Sequence, residues 1–168
     1  MPDAATTFFF DSVSISNFAL TERLDLIQRR YSTRAVLTSE VLDEIEQGVN
    51  HGYQALRDVV RLVDGGVFQT TTLSAAERTV YRALLRNLGS GDASVIACAK
   101  LRRGIVATDD RAARTCCEDA GVSFTGTIGI LKVCCLTGAI DAEQADGILE
   151  GMVRQGFYSP VRRITDLL

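Results

Sequence analysis

Residues 8–12 read Phe8-Phe9-Phe10-Asp11-Ser12, an apolar run that ends directly in a carboxylate. A short apolar run of this kind predicts a buried strand, here from Thr7 to Phe10. A carboxylate directly after a buried strand is costly unless it has a partner. The stretch therefore predicts a buried first strand with an acid at its end that needs a partner.

The same pattern returns later, where Ile105-Val106-Ala107 is followed by Thr108-Asp109-Asp110. Further strands are predicted at Ala35–Leu37, Val67–Leu73 and Val122–Thr125, with helical stretches between them. Alternating strands and helices are typical of a parallel sheet. We therefore expect a three-layer α/β/α fold with a central, mostly parallel sheet, in one domain over residues 1–168.

The helices are predicted from apolar spacing and capping residues. Two capping boxes are expected, at Ser74 with Glu77 and at Asp141 with Gln144, and Ser39 is expected to cap a third helix. Gly89 is expected to end the helix that Ser74 opens. The predicted helices are 17–31, 39–49, 52–62, 74–89, 90–104, 111–120, 128–136 and 141–155, with a last short turn at Asp166.

The charge balance limits the function classes. The net charge is −3 and the pI is about 5.2, which excludes a protein held to nucleic acid by bulk positive charge. Among the 18 basic residues only Lys100 and Lys132 are lysine. The arginine bias is explained either by phosphate binding or by a genome that favours arginine codons.

Cysteine usage and hydropathy predict the compartment. The chain has 5 cysteines, and none of them forms a C-x-x-C pair, which argues against a disulfide framework or a zinc site. No apolar run approaches the roughly 20 residues that span a bilayer, and no signal peptide is recognisable. We expect a cytoplasmic protein without a membrane segment.

Five acidic residues fall near the edge where an open parallel sheet binds its ligand, outside the carboxyl ends of the strands. They are Asp11, Glu44, Asp92, Asp109 and Asp110. Each has a simpler interpretation alone, as a helix cap or a solvated surface charge. Together, converging carboxylates would suit Mg²⁺ or Mn²⁺ and the hydrolysis of a phosphodiester without a nucleophilic side chain.

The motifs around these acids resemble those of the PIN-domain family, which includes the VapC-type toxin ribonucleases. The resemblance covers nearly the whole chain. Phe8 to Ser12 resembles the first strand of the family, which ends in an aspartate, and Thr38 to Glu44 resembles the segment that supplies a glutamate. Leu88 to Ser94 resembles the family's Gly-Glu/Asp-Ala motif. Thr108 to Arg114 resembles its Asp-Asp-x-x-Ala-Arg motif. Residues 126–131 and 156–159 are similar to an uncharacterised, toxin-like branch.

The resemblance implies a metal-dependent endoribonuclease, the toxin of a toxin–antitoxin pair, with RNA as substrate, a small antitoxin as partner and a homodimeric state. It implies Mg²⁺ or Mn²⁺ held by Asp11, Glu44, Asp92 and Asp110, with Asp109. Which of Asp109 and Asp110 is the direct ligand stays open, although Asp110 fits the commoner Thr-x-Asp spacing of the family. The resemblance also implies supporting residues. Ser12 and Thr108 would donate hydrogen bonds to the ligands, and Glu40 is the fallback if Glu44 does not supply the motif glutamate. Arg111 and Arg114 would bind phosphates, or they would form a solvated or ion-paired helix face.

Two other functions stay open from the sequence. The motif glutamate is here the shorter Asp92, which preserves the charge but changes its reach. This substitution favours a catalytically weak or inactive RNA-binding or interaction module that keeps the fold. The other alternative is a nuclease that acts on DNA.

Overall fold

The sheet is built from five short strands in the order β3-β2-β1-β4-β5, all parallel. The computed structural model describes residues 5–168. The strands are β1 (Phe8–Phe10), β2 (Ala35–Thr38), β3 (Gln69–Thr71), β4 (Ile105–Ala107) and β5 (Ser123–Thr125). The α/β fold with a parallel sheet is therefore confirmed, and all five predicted strands are present. The predicted domain also includes residues 1–4, which lie outside the described residues.

Nine α-helices flank the sheet within residues 5–168. They are α1 (Ser12–Leu20), α2 (Leu24–Tyr31), α3 (Ser39–Asn50), α4 (Arg57–Asp64), α5 (Ala75–Leu84), α6 (Ser90–Arg102), α7 (Arg111–Ala120), α8 (Thr127–Leu136) and α9 (Ala142–Arg154). Single 3₁₀ turns occupy Ser32–Arg34, Gln54–Leu56 and Thr165–Leu167. None of the helices in this part of the chain is long and apolar enough to cross a membrane.

Strand order determines where the chain reverses. From β1 the chain steps outward to β2 and β3, and it then returns to the other side of β1 to form β4 and β5. Because parallel crossovers are right-handed, the two sets of connecting helices lie on opposite faces of the sheet. The reversal lies between β1 and β4, and a ligand crevice forms at the carboxyl end of such a reversal.

The central strand is fully apolar, and its burial explains why it lies in the middle of the sheet. Phe8, Phe9 and Phe10 are all buried in one core with side chains from both helical layers. Phe9 and Phe10 pair with Val106 and Ala107 of β4. Burying side chains of this size contributes roughly 1.5–3 kcal/mol each, so the strand that precedes Asp11 is strongly fixed.

The predicted helix from 17 to 31 is wrong in its bounds, because the structure has two helices there. Helix α1 begins directly after Asp11, whose carboxylate caps it. It ends where Glu22 takes a positive φ of 57° and the Arg23 N–H donates to the Phe18 carbonyl at 2.8 Å. Apolar spacing runs on through this break, so the spacing alone gives no sign of it.

Three other boundaries also differ from the sequence expectations. Thr38, not Ser39, caps α3, because its side chain accepts the Val41 N–H. Gly89 does not end α5 but precedes α6 as its N-cap residue. The helix expected over 52–62 is a 3₁₀ turn followed by α4. Both predicted capping boxes are present, at Ser74 and at Asp141.

Candidate acidic site at the carboxyl edge of the sheet

One cavity of about 580 Å³ opens at the carboxyl ends of β1 and β4. Its volume lies in the range of ligand pockets, about 300–1,000 Å³. All five predicted carboxylates line it, and they come from four separate parts of the chain: Asp11, Glu44, Asp92, Asp109 and Asp110. The wall also includes residues from α1, α3 and the segment after α9.

Asp11 is the most buried of these acids, with 3% of its surface exposed. It caps α1, since the Ser14 N–H donates to its Oδ1 at 2.6 Å. Burial raises the pKa of Asp11 well above the usual aspartate range, and the charge of Asp109 adds to that rise. Hydrogen bonds from Thr108 and Ser14 act in the opposite direction. The carboxyl group is therefore held rigidly in a poorly solvated position.

Asp92 faces Asp11 from the first turn of α6. The two carboxyl groups are close enough to share a hydrogen bond. Burial raises the pKa of Asp92, and the charges of Asp11 and Asp110 raise it further. Carboxylates that repel one another in this way either share a proton or need a cation between them.

Glu44 reaches the cavity from α3 and is held by three donors. The Ser12 hydroxyl donates to Oε2 at 2.5 Å, and the Gly91 N–H donates to Oε1 at 2.9 Å. The Ser90 hydroxyl lies 3.4 Å from Oε1. A β-carbon on Gly91 would lie 2.5 Å from Oε2, so only glycine admits this close approach. Glu44 is thus oriented by the start of α6, next to Asp92.

Asp109 has its oxygens occupied by protein donors. Thr127 donates its N–H to Oδ1 at 2.8 Å and its hydroxyl to Oδ2 at 2.5 Å. Ser14 and Asn17 each lie 3.4 Å from Oδ2, and Arg114 Nη2 lies 3.6 Å from Oδ1. Asp109 therefore joins the end of β4 to the first turns of α1 and α8.

Asp110 is the exposed member of the pair. It caps α7, because its Oδ2 accepts the Ala113 N–H at 2.8 Å. Its own N–H donates to the buried Thr108 hydroxyl at 3.2 Å, and its charge acts on Asp92. Asp110 therefore caps α7 with one carboxylate oxygen and still lines the cavity.

Three of the predicted supporting residues are not part of the cavity lining. The Glu40 charge acts on Tyr81 and Cys98, on the α5–α6 side of α3. Arg114 donates from Nε to the Thr108 carbonyl at 3.0 Å and lies over the Phe124 ring at 5.3 Å. Arg111 is exposed on the first turn of α7. None of these side chains lines the cavity.

Ser14, Asn17 and Thr127 are buried and contact Asp109, and none of them was predicted from the sequence to have a role. The Asn17 amide also donates to the Thr127 hydroxyl at 3.1 Å. Ser14 and Asn17 follow Asp11 by three and six residues, so helical spacing puts them on one face of α1. That spacing was the available signal, but only for a helix that begins at Ser12. Tyr53, which also lines the cavity, had no signal, whereas Tyr158 lies in the segment 156–159 that the family resemblance marked without a role.

The carboxylate oxygens that line the cavity are the type of ligand that a hard divalent cation binds. Aspartate and glutamate oxygens are the ligands that Mg²⁺ and Mn²⁺ prefer. Burial is the main cause of the raised pKa values of Asp11 and Asp92, and repulsion between neighbouring carboxylates, which a cation would relieve, adds to it. Within residues 5–168, however, no group of three or more His, Cys, Asp or Glu has the arrangement that could hold a metal ion. All five cysteines are free.

Comparison with known proteins identifies the fold and the family. The family model DUF3368, described as a PIN domain, matches residues 7–168. In fold the chain is similar to PAE2754 from Pyrobaculum aerophilum, at a TM-score of 0.50 and 14% identity, covering 73% of this chain and 91% of that one. No curated protein matches at a significant level.

Two further solved structures have lower scores. VapBC2 from Rickettsia felis, bound to a DNA fragment from their promoter, has a TM-score of 0.49 and 15% identity, covering 71% of this chain and 98% of that one. FitAcB from Neisseria gonorrhoeae has a TM-score of 0.45 and 15% identity, covering 70% and 96%.

Proposed function

The chain belongs to the PIN-domain family, and on that premise we propose that it is a divalent-metal-dependent endoribonuclease. PIN domains are typically nucleases, and they generally use divalent metal ions. The observation that carries the proposal is the lining of one cavity by Asp11, Glu44, Asp92, Asp109 and Asp110 at the reversal of the sheet.

The proposed ligands are Asp11, Glu44, Asp92 and Asp110. Asp109 is the weaker candidate, because Thr127, Asn17 and Ser14 already occupy its oxygens. A bound Mg²⁺ or Mn²⁺ supplies Lewis-acid stabilisation of the phosphoryl oxygens and a water of lowered pKa. Asp11 and Asp92 would have to release their proton before they bind the cation, since both have a raised pKa.

The remaining residues position these acids. Ser12 orients Glu44 through a hydrogen bond of 2.5 Å. Thr108 hydrogen-bonds Asp11 and accepts the N–H of Asp110, so it connects two proposed ligands. Groups of this kind typically change metal affinity or activity by roughly 10- to 100-fold when they are removed. Arg111, exposed beside Asp110, is the arginine that would bind a phosphate of the substrate.

The toxin role is a finer part of the proposal. It includes a small antitoxin as partner, a homodimeric state and a cytoplasmic location, and it rests on the motif resemblance to the VapC-type branch. Co-expression with the product of a small neighbouring reading frame tests it: the toxin role predicts relief of growth inhibition and a stable complex. Unrelieved inhibition, or no inhibition at all, would contradict it.

The competing function is an inactive RNA-binding or interaction module. It is favoured by the shorter Asp92 at the position where the family motif usually has a glutamate. This module would retain RNA or partner binding and would not bind Mn²⁺.

Mn²⁺ calorimetry and RNA cleavage together test the nuclease. We expect the natural chain to bind Mn²⁺ and cleave single-stranded RNA, and we expect Asp11→Asn and Glu44→Gln to lose both properties. Asp43→Asn is the matched control, because Asp43 precedes Glu44 on α3 but is exposed and does not line the cavity. Equal cleavage by Asp11→Asn and the natural chain would refute the proposal. A single-stranded DNA of the same sequence tests the DNA alternative.

A further inference from the structure

The mouth of the acidic cavity carries two exposed aromatic rings. The chain has 7 phenylalanines and 4 tyrosines, all within the described residues, and no tryptophan. Tyr53 and Tyr158 are the only exposed ones among them, at 56% and 90%. Both line the acidic cavity, although they are far apart in sequence. Exposed aromatic side chains are thus confined to this cavity.

The backbone on both sides of Tyr158 is fixed. Helix α9 ends at Arg154, and Gly156 takes a φ of 104°, which turns the chain so that the Phe157 N–H donates to the Met152 carbonyl at 3.0 Å. Phe157 packs against the core. After Tyr158, the Ser159 hydroxyl accepts the Val161 N–H at 3.2 Å. The chain therefore presents the ring to solvent from an anchored segment.

Tyr53 is also presented to solvent from an anchored segment. It follows α3, and its N–H donates to the Gly48 carbonyl at 3.1 Å. Its carbonyl accepts the Leu56 N–H at 3.1 Å, and Leu56 is buried beneath it. Gly48 and Leu56 also line the cavity. The position of Tyr53 is thus set by the helix that supplies Glu44.

An anchored aromatic ring in solvent is suited to stacking on a flat ligand. Nucleobases stack on such rings, and each stack contributes about 1–3 kcal/mol by alanine substitution. In duplex RNA the base faces are covered by neighbouring bases, so stacking on protein rings selects unpaired nucleotides. The acidic floor would repel phosphates in the absence of a cation, whereas neutral base faces can rest on the rings at the mouth.

We propose that Tyr53 and Tyr158 form a base-stacking platform that holds unpaired nucleotides of a single-stranded RNA across the acidic cavity. This inference rests on the proposed nuclease function and names the form of its substrate. The two rings grip the bases on either side of the phosphate that enters the cavity.

The test measures the binding of a short, labelled single-stranded RNA by fluorescence anisotropy, with the full chain carrying Asp11→Asn to prevent cleavage. Tyr53→Ala and Tyr158→Ala should each weaken binding by about 5- to 150-fold, the equivalent of one lost stack. Tyr53→Phe and Tyr158→Phe keep the ring and should bind within about twofold of the parent. Leu136→Ala is the control, because Leu136 is exposed but does not line the cavity.

Two further measurements separate stacking from other causes. Since the chain lacks tryptophan, quenching of tyrosine emission by the RNA reports on stacking directly, and it should fall in both alanine variants. A duplex of the same sequence should bind weakly, with no difference between parent and alanine variants. A single-stranded DNA of the same sequence shows how much of the affinity depends on the ribose hydroxyls.

Unchanged RNA affinity in both alanine variants would overturn the platform, even if the natural chain cleaves RNA. Loss of self-association in these variants, with RNA binding intact, would also overturn it in favour of a protein interface. If the natural chain cleaves no RNA but its binding depends on both rings, the platform stands and the nuclease function falls.

Discussion

Replacing Gly91 by alanine should break the hydrogen bond between Glu44 and the first turn of α6. The added β-carbon would lie 2.5 Å and 2.6 Å from the two Glu44 oxygens and 2.8 Å from its carboxyl carbon. All three distances are too short to persist, so the carboxylate must move away. It then loses the Gly91 N–H, which now donates to it at 2.9 Å. The change therefore acts on a proposed metal ligand without altering any acidic residue.

The expected magnitude combines two opposing effects. Alanine gains about 1 kcal/mol over glycine in a helix, while the lost hydrogen bond to a carboxylate costs about 1.5–3 kcal/mol. Gly91→Ala should thus lower the free energy of unfolding by roughly 0.5–2 kcal/mol, which corresponds to a few degrees in Tm. Mn²⁺ affinity and RNA cleavage should fall by about 10- to 100-fold, as for the loss of other groups that orient a metal ligand.

Gly147→Ala supplies the matched control. Gly147 lies within α9, and a β-carbon there meets nothing within 4 Å. This variant should be more stable than the natural chain by up to about 1 kcal/mol and unchanged in activity. Thermal unfolding, Mn²⁺ calorimetry and RNA cleavage are measured on all three proteins. If Gly91→Ala binds Mn²⁺ and cleaves RNA as Gly147→Ala does, the orientation of Glu44 by Gly91 has no functional role.

Two further predictions concern an acid-sensitive ion pair and the arginines of α7. Arg102 holds the pKa of Glu77 down, from its ordinary 4.5 to about 2, so the stabilisation is complete above pH 4.5 and is lost as the pH falls towards 2. Glu77→Gln should lower the free energy of unfolding by about 1–3 kcal/mol at pH 7, a range that allows for the solvent screening of Arg102, whose side chain is one-third exposed. The Tm values of the variant and the natural chain should converge near pH 2. A Tm difference that stays constant with pH would contradict this prediction. Arg111→Ala should weaken RNA binding and reduce the salt dependence of that binding, with no change in Tm. Arg114→Ala should lower Tm, because the contacts of Arg114 with Thr108 and Phe124 are lost. An unchanged Tm in Arg114→Ala would refute a structural role for Arg114.

The strands were predictable because their signals are local. The run Phe8 to Phe10 and the run Ile105 to Ala107 are apolar without interruption, and each is followed by a carboxylate. Such runs have few alternatives to a buried strand. The break between α1 and α2 was not predictable, because it depends on one positive φ at Glu22 and on the bond from Arg23 to Phe18. The apolar spacing continues across it.

The roles of Asp109 and Asp110 show where sequence reasoning reaches its limit. Both follow β4, and the motif spacing only favours Asp110 without deciding between them. Their difference depends on partners that are distant in sequence, since Asp109 binds Thr127 and Asn17 while Asp110 caps α7. Residues next to each other in a loop point in different directions, and only tertiary structure decides which of them faces a ligand. This geometry favours Asp110 as the proposed ligand.

The buried polar residues provide an independent argument that this edge is built for function. Burying a polar side chain stabilises a protein only when its hydrogen bonds are made. Within residues 5–168 the buried polar or charged residues are Asp11, Ser14, Asn17, Thr38, Glu77, Ser94, Thr108 and Thr127. Apart from Glu77, which pairs with Arg102 at the C-terminal end of α6, all of them surround the acidic cavity or support the elements that form it.

Thr38 and Ser94 illustrate how this support extends inward. Their hydroxyls lie 2.7 Å apart, and the Ser94 hydroxyl donates to the Gly91 carbonyl at 2.7 Å. The end of β2 is thereby joined to the turn of α6 that holds Glu44. A core that served stability alone would fill these positions with apolar groups, because they avoid the desolvation cost. The concentration of hydrogen-bonded polar groups at one edge, together with repelling carboxylates, is the pattern expected where rigid placement of charge matters more than stability.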